Sequence, residues 1–162
     1  MEILDIVNKN DEVIGAASRD EVYQKSLCHR IVHVLIFNDK NEMALQLRSG
    51  SVSFCPNHWS TAVGGHVQSK ESYEDAALRE YEEELGITSK IEKFSKDYYE
   101  AEGSPDKFIV AFKAIFDGSF YPDPKSVERV DFFDIEKIKE MIESGEKFHP
   151  ELLFLLRKYY LQ

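Results

Sequence analysis

Cysteine is scarce in this chain of 162 residues: only Cys28 and Cys55 are present. Two thiols make no disulfide framework, which fits a reducing compartment and rules out a disulfide-stapled fold. No stretch rich in proline, glycine and serine marks a linker, and no internal repeat or low-complexity tract is present, so residues 1–162 are expected to form a single domain. Long apolar runs are also missing. The longest, Ile31 to Phe37, is interrupted by His33 and is far too short to span a bilayer. The start, Met1-Glu2-Ile3-Leu4-Asp5, has no basic region ahead of an apolar stretch, so a secretory signal is not expected and a cytoplasmic location is. Basic residues are in deficit: 20 Lys and Arg face 30 Asp and Glu, a net charge of −10. Such a surface repels polymeric nucleic acid and anionic membrane. A small phosphorylated substrate is still allowed, because a bound metal reverses the field locally.

What is present is a core and a set of readable elements. Hydrophobic residues make up 43% of the chain, too many for a disordered polymer. Glu2–Val7 and Glu12–Ala17 flank Asn8-Lys9-Asn10-Asp11, which predicts a hairpin. Ser18 is placed to cap a short helix. Arg30–Phe37 is rich in β-branched residues and reads as a buried strand, followed by an alternating strand over Glu42–Arg48. Ser49–His58 reads as a loop and Trp59–Val63 as one short strand ending at Gly64-Gly65. Phe108–Phe116 and Val127–Phe133 read as later strands, Ile135–Ile142 and Glu151–Leu161 as helices. Strands and helices interleave without regular βαβ alternation, so an α/β fold is expected, a mixed sheet with helices on both faces.

The chemistry is concentrated in Gly65–Ile87. Over Ser72–Leu85 the apolar residues Ala77, Leu78, Tyr81 and Leu85 recur at helical spacing, and Gly86 is a natural stop. At a hundred degrees per residue, Glu80 and Glu84 lie beside the edge of that stripe, Glu83 lies further round, and Glu82 points away. Like charges so close on a helix cost some tenths of a kcal/mol per pair when solvated. A hard divalent cation such as Mg²⁺ reverses that sign and keeps the waters that phosphate chemistry needs. An isolated acidic run is usually only a solvated face. Here the surroundings matter: Gly65, five residues, Glu71, seven residues, Arg79-Glu80, Tyr81, Glu82, Glu83-Glu84, Leu85, Gly86, Ile87.

That spacing resembles the Nudix box at every fixed position, with Tyr81 standing where an aliphatic residue is usual. The resemblance implies a Nudix-type mixed sheet sandwiched between helices. It also implies hydrolysis of a diphosphate linkage, in a nucleoside diphosphate or its derivative, with Mg²⁺ or Mn²⁺. Carried over by position, Glu80, Glu83 and Glu84 form the metal-binding set, one of them doubling as general base, with Glu83 taken forward as the candidate. Gly64 matches a position that offers its carbonyl to metal, and Glu71 and Arg79 match partners that lock the loop onto the helix. The partner implied is a small diphosphate-containing substrate, and a homodimer is left open.

Asp5–Arg19, the strand from His29 and Trp59–Val67 further resemble the isopentenyl-diphosphate-isomerase-like branch of the superfamily. His29 and His66 match two metal histidines of those isomerases. Gly64, however, takes the place of their catalytic cysteine, and no Glu-x-Glu pair stands around Pro105–Lys107. Hydrolysis is therefore expected over isomerisation, and the complete glutamate set argues against a purely binding domain. For His29 and His66 a structural role is the commoner outcome, and for Cys28 and Cys55 an unreactive thiol. Where many Nudix enzymes add a later glutamate, the aligned position falls nearest Ser126, with Glu128 as a substitute. Tyr98, Tyr99, Phe54 and Trp59 are aromatic candidates for stacking on a base, with core packing the commoner role for such residues.

Overall fold

The computed structural model describes residues 1–162. In chain order the elements are β1 (Ile3–Val7), β2 (Val13–Ser18), α1 (Arg19–Gln24), β3 (His29–Phe37), β4 (Met43–Arg48), β5 (Trp59–Thr61) and β6 (Val63–His66). Then follow α2 (Tyr73–Leu85), β7 (Glu92–Tyr99), β8 (Lys107–Ile115), β9 (Val127–Phe133), α3 (Ile135–Glu143) and α4 (Pro150–Tyr159). No helix is long and apolar enough to cross a membrane.

The first hairpin forms as its turn residues dictate. The Asn8 side-chain oxygen accepts from the backbone N–H groups of Asn10 and Glu12, at 2.9 and 3.0 Å, closing the turn between β1 and β2. Ser18 then caps α1 by accepting from the Glu21 N–H at 3.2 Å.

Seven strands make the main sheet, with β3 at its centre. β3 runs parallel to β8 along its whole length, from His29↔Lys107 to Phe37↔Ile115. Its side chains alternate between two packed layers. Val32, Val34 and Ile36 meet Ala76, Ala77, Tyr81 and Leu85 of α2, whereas Leu35 and Phe37 meet Ile138 of α3 and Leu152 and Leu156 of α4. A strand covered on both faces is apolar throughout, and this is why Ile31–Phe37 reads as a run rather than an alternation. The expected α/β sandwich is the fold observed.

Three details differ from expectation. β4 alternates in sequence, but Ala44 and Gln46 are as buried as Met43 and Leu45, because α2 covers the second face. The segment after the loop is two strands: β5 pairs with β4, the chain breaks at Ala62, and β6 pairs with β3. β7 went unread because it is an edge strand whose charged residues, Glu92, Lys93, Lys96 and Asp97, mask the apolar period.

β3 and β4 meet only at Phe37↔Met43 and then part, with β5 and β6 each attached to one of them. This split lets side chains from both helical layers reach one cavity.

Candidate active site

A cavity of about 620 Å³ opens at the split, and its polar wall includes Glu80 and Glu84 of α2 together with Gly64, Gly65, His33 and Glu151. The helix that delivers the two glutamates is locally determined. Ser72 caps it by accepting from the Asp75 N–H at 3.0 Å, and Gly86 ends it in the left-handed conformation at φ 73°. Tyr81 is fully buried in the core face and its hydroxyl meets Ser89 Oγ at 2.9 Å. The hydroxyl is satisfied, so an aromatic fits where the box usually has an aliphatic residue.

Glu84 is held from the sheet side. Gln46 Nε2 donates to its Oε1 at 2.9 Å and the Gly64 N–H donates to its Oε2 at 3.2 Å. Burial and the neighbouring Glu80 carboxylate push the Glu84 carboxyl well above the ordinary range. Burial pushes Glu80 up too, against the pull of Arg79. Gly65 makes the approach of Glu80 achievable: a Cβ built there would stand 2.3 Å from the Glu80 carboxyl carbon.

Arg79 ties the loop to the helix. Its Nε and Nη2 grip Glu71 at 2.8 and 2.9 Å, Nη1 donates to Glu80 at 2.8 Å, and Nη2 also donates to the His66 carbonyl at 3.1 Å. Glu71 in turn accepts from the Gln68 N–H at 2.9 Å. Paired fork-like bonds of this kind fix direction as well as distance.

Glu83 stands apart from the other two. Its side chain is 59% exposed, it reaches Arg79 at 3.3 Å, and it does not line the cavity. The structure therefore brings Glu80, Glu84 and Gly64 together and leaves Glu83 on the outer side of the guanidinium. No cluster of three or more His, Cys, Asp or Glu side chains is gathered in metal-binding geometry. Two neighbouring carboxylates on the cavity wall are nevertheless a hard-oxygen donor pair that fits one divalent cation with waters completing its shell.

Other sequence candidates fall outside the acidic end. Glu128 is exposed on β9 and Ser126 gives its carbonyl to the Ser49 N–H, neither facing the cavity. His29 and His66 are neighbours, with ring centroids 5.5 Å apart. Tyr23 meets His66 Nε2 at 2.7 Å and Glu2 meets its Nδ1 at 3.4 Å, so both His66 nitrogens have protein partners. His29 is wholly enclosed, and burial holds its pKa down to about 4. Burial also raises both Cys28 and Cys55, leaving them as thiols. A Cβ at Gly64 would meet the His33 ring at an ordinary 3.5 Å, so there is room for a side chain and the missing thiol is a matter of sequence alone.

One group escaped sequence reasoning. Glu151, at the start of α4, accepts from His33 Nε2 at 3.0 Å and from Lys107 Nζ at 2.9 Å. Its burial would raise the carboxyl, but the His33 bond and the Lys107 charge outweigh that and hold it well below the ordinary range. His33 Nδ1 meets Thr61 Oγ1 at 2.8 Å, which places the ring between strand and helix.

The NUDIX domain family matches residues 28–156. The chain belongs to the Nudix family. An uncharacterised Nudix hydrolase of Nostoc sp. is 31% identical, over 99% of this chain and 96% of its own length. An isopentenyl-diphosphate Δ-isomerase of Serratia proteamaculans is 28% identical, over 96% of this chain and 90% of its own. A crystal structure of a Deinococcus radiodurans protein superposes with a TM-score of 0.86 at 28% identity, covering 98% of this chain and 99% of that one. The Nudix domain thus has hydrolases and isomerases among its relatives, as the two resemblances in the sequence imply. Its family identity supports a diphosphate-cleaving hydrolase in general terms.

Proposed function

We propose that this Nudix domain hydrolyses a diphosphate linkage in a nucleoside diphosphate or its derivative, with Mg²⁺ or Mn²⁺ as cofactor. The observation that carries this reading is the pairing of Glu80 and Glu84 on one cavity wall, supported by Arg79, Gln46 and the Gly64 N–H. Glu80 and Glu84 would hold the cation, with the Gly64 carbonyl beside them. When bound, the cation supplies charge neutralisation at the phosphoryl oxygens and lowers the pKa of water. The protein's own part is orientation. Gln46 and Gly64 fix the Glu84 carboxylate, Arg79 and Glu71 fix Glu80, and one of these two cavity carboxylates accepts the proton released by the attacking water. Glu83 serves in the Arg79 network rather than as the base, because it lies outside the cavity.

The isomerase alternative is disfavoured by Gly64. Neither Cys28 nor Cys55 lines the cavity to replace the missing thiol, and proton transfer at an unactivated allylic carbon needs an acid/base pair. The test is phosphate release from a nucleoside-diphosphate panel with Mg²⁺, beside isopentenyl diphosphate followed by NMR. Turnover of a nucleotide without formation of the dimethylallyl isomer is expected. Catalytic isomerisation, or no hydrolysis across the panel, would overturn the assignment.

A further inference from the structure

The cavity is also lined by groups that hydrolysis at Glu80 and Glu84 does not use. Among the four aromatic candidates from the sequence, the structure separates one. Trp59 is buried and donates to Glu146 at 3.1 Å, Tyr99 is buried, and Tyr98 is bound to Asp106 at 2.7 Å. Phe54 instead lines the cavity and is 56% exposed as a residue. Its main chain and its ring each have one partner. Arg48 Nε donates to the Phe54 carbonyl at 3.0 Å, and the ring packs edge-on against His149 at 5.3 Å. An apolar ring held on one edge at a polar cavity and otherwise uncovered is a surface for another flat ring.

The neighbouring groups match what accompanies a base. His149 Nδ1 accepts from the Glu151 N–H at 3.1 Å, Glu151 in turn accepts from Lys107 at 2.9 Å, and all three line the cavity with Phe54. Lys107, with only 5% of its side chain exposed, has a protein hydrogen-bond acceptor for one of its three N–H donors, and Glu151 can accept more than the two bonds it has. Beside a carboxylate, that ammonium is a poor anion site, because its charge is already balanced. A buried donor next to a buried acceptor suits neutral hydroxyl groups, each of which donates and accepts.

We propose that the part of the cavity lined by Phe54, Glu151 and Lys107 binds the nucleoside half of the substrate, with the base on the Phe54 ring and sugar hydroxyls on the Lys107–Glu151 pair. This rests on the nucleotide reading above and assigns its specificity to named residues.

The experiment measures binding of UDP, 2′,3′-dideoxy-UDP and inorganic diphosphate in Ca²⁺, which occupies carboxylate sites without supporting rapid turnover, by calorimetry on the full chain. Phe54→Ala should weaken UDP about five- to a hundredfold, the range of base–aromatic stacking, while inorganic diphosphate binds as before. Phe54→Trp should restore UDP. Wild type should prefer UDP to the dideoxy compound, and Lys107→Met should remove that preference. Equal losses for UDP and inorganic diphosphate in Phe54→Ala, or no loss for either, would overturn the proposal. Because Phe54 is exposed, this arm does not depend on whether Lys107→Met folds. If wild type hydrolyses nucleotides but Phe54→Ala binds UDP unchanged, only this inference falls. If UDP binds through Phe54 yet no nucleotide is cleaved with Mg²⁺, only the hydrolase assignment falls.

Discussion

At the scale of single residues, the site depends on oxygen atoms aimed by their neighbours. Glu84→Gln keeps the shape but turns an amide NH₂ toward either Gln46 or the Gly64 N–H, both donors. The fold should survive, and turnover with Mg²⁺ should fall on the order of a hundredfold or more, since losing even a supporting partner of a metal ligand costs about 10–100-fold. Arg79→Lys, which cannot grip Glu71 and Glu80 together, should fall in that lower range. Steady-state kinetics with circular dichroism as a fold control checks both. A second prediction concerns pH. Burial holds His29 and His149 neutral, each with its pKa lowered to about 4, against a backdrop that includes Lys107, His66, His33, Arg48 and Glu151. The unfolded chain takes up protons near pH 6.5 and the folded one only near 4, so stability is full above pH 6.5 and is lost as pH falls toward 4. Each histidine contributes up to about 3 kcal/mol over that window. The raised Glu80 and Glu84 carboxyls act in the opposite sense as pH falls, so the histidine share is read as the difference between wild type and His29→Phe in urea denaturation at pH 7 and pH 5; the same pH dependence in both would contradict the burial argument.

The elements differ in how plainly the sequence announces them. α2 could be placed almost to the residue because everything that defines it is local: a serine cap, an apolar stripe, a terminal glycine and the box spacing. Gly86 illustrates the constraint. At φ 73° with Tyr121 O only 2.8 Å from a built Cβ, Gly86→Ala should cost about 2 kcal/mol and lower Tm by roughly 4–8 °C in a domain of this size. A thermal melt unchanged by the substitution would mean that the helix end rearranges freely. The break between β5 and β6 was illegible for the opposite reason. Trp59–Val63 has the composition of one strand, and only the distant partners β4 and β3, each claiming one half, divide it.

Across the whole molecule, the acidic wall of the cavity was legible in outline and the rest was not. Glu80 and Glu84 come from one helix, whereas His33 and Glu151 lie 118 residues apart and Lys107 and Glu151 lie 44 apart. No local period reports such a meeting. Nor did helical angle alone show that Glu83 ends outside the cavity, since Arg79 captures it. The long-range pair has an energetic signature. Lys107→Met leaves a largely buried carboxylate bonded only to His33 and should destabilise by about 3 kcal/mol. Lys107→Met combined with Glu151→Met should recover most of that in urea titrations, because two apolar side chains need no counter-charge. A double variant as unstable as the single one would show that the pair supports the fold in some other way.

The parallel pairing of β3 with β8 also governs the order in which the chain can become structured. β3 emerges early, but the strand that pairs with it from end to end begins only at Lys107, and α4, which covers one face, begins only at Pro150. β6 can pair with the other edge of β3 sooner, but closing the long loop to β8 is a slow step. During synthesis this long, doubly covered strand therefore waits unpaired along that side while the next seventy or so residues are made, about 4–14 s at ordinary elongation rates, an interval in which its apolar side chains are open to aggregation or to a chaperone.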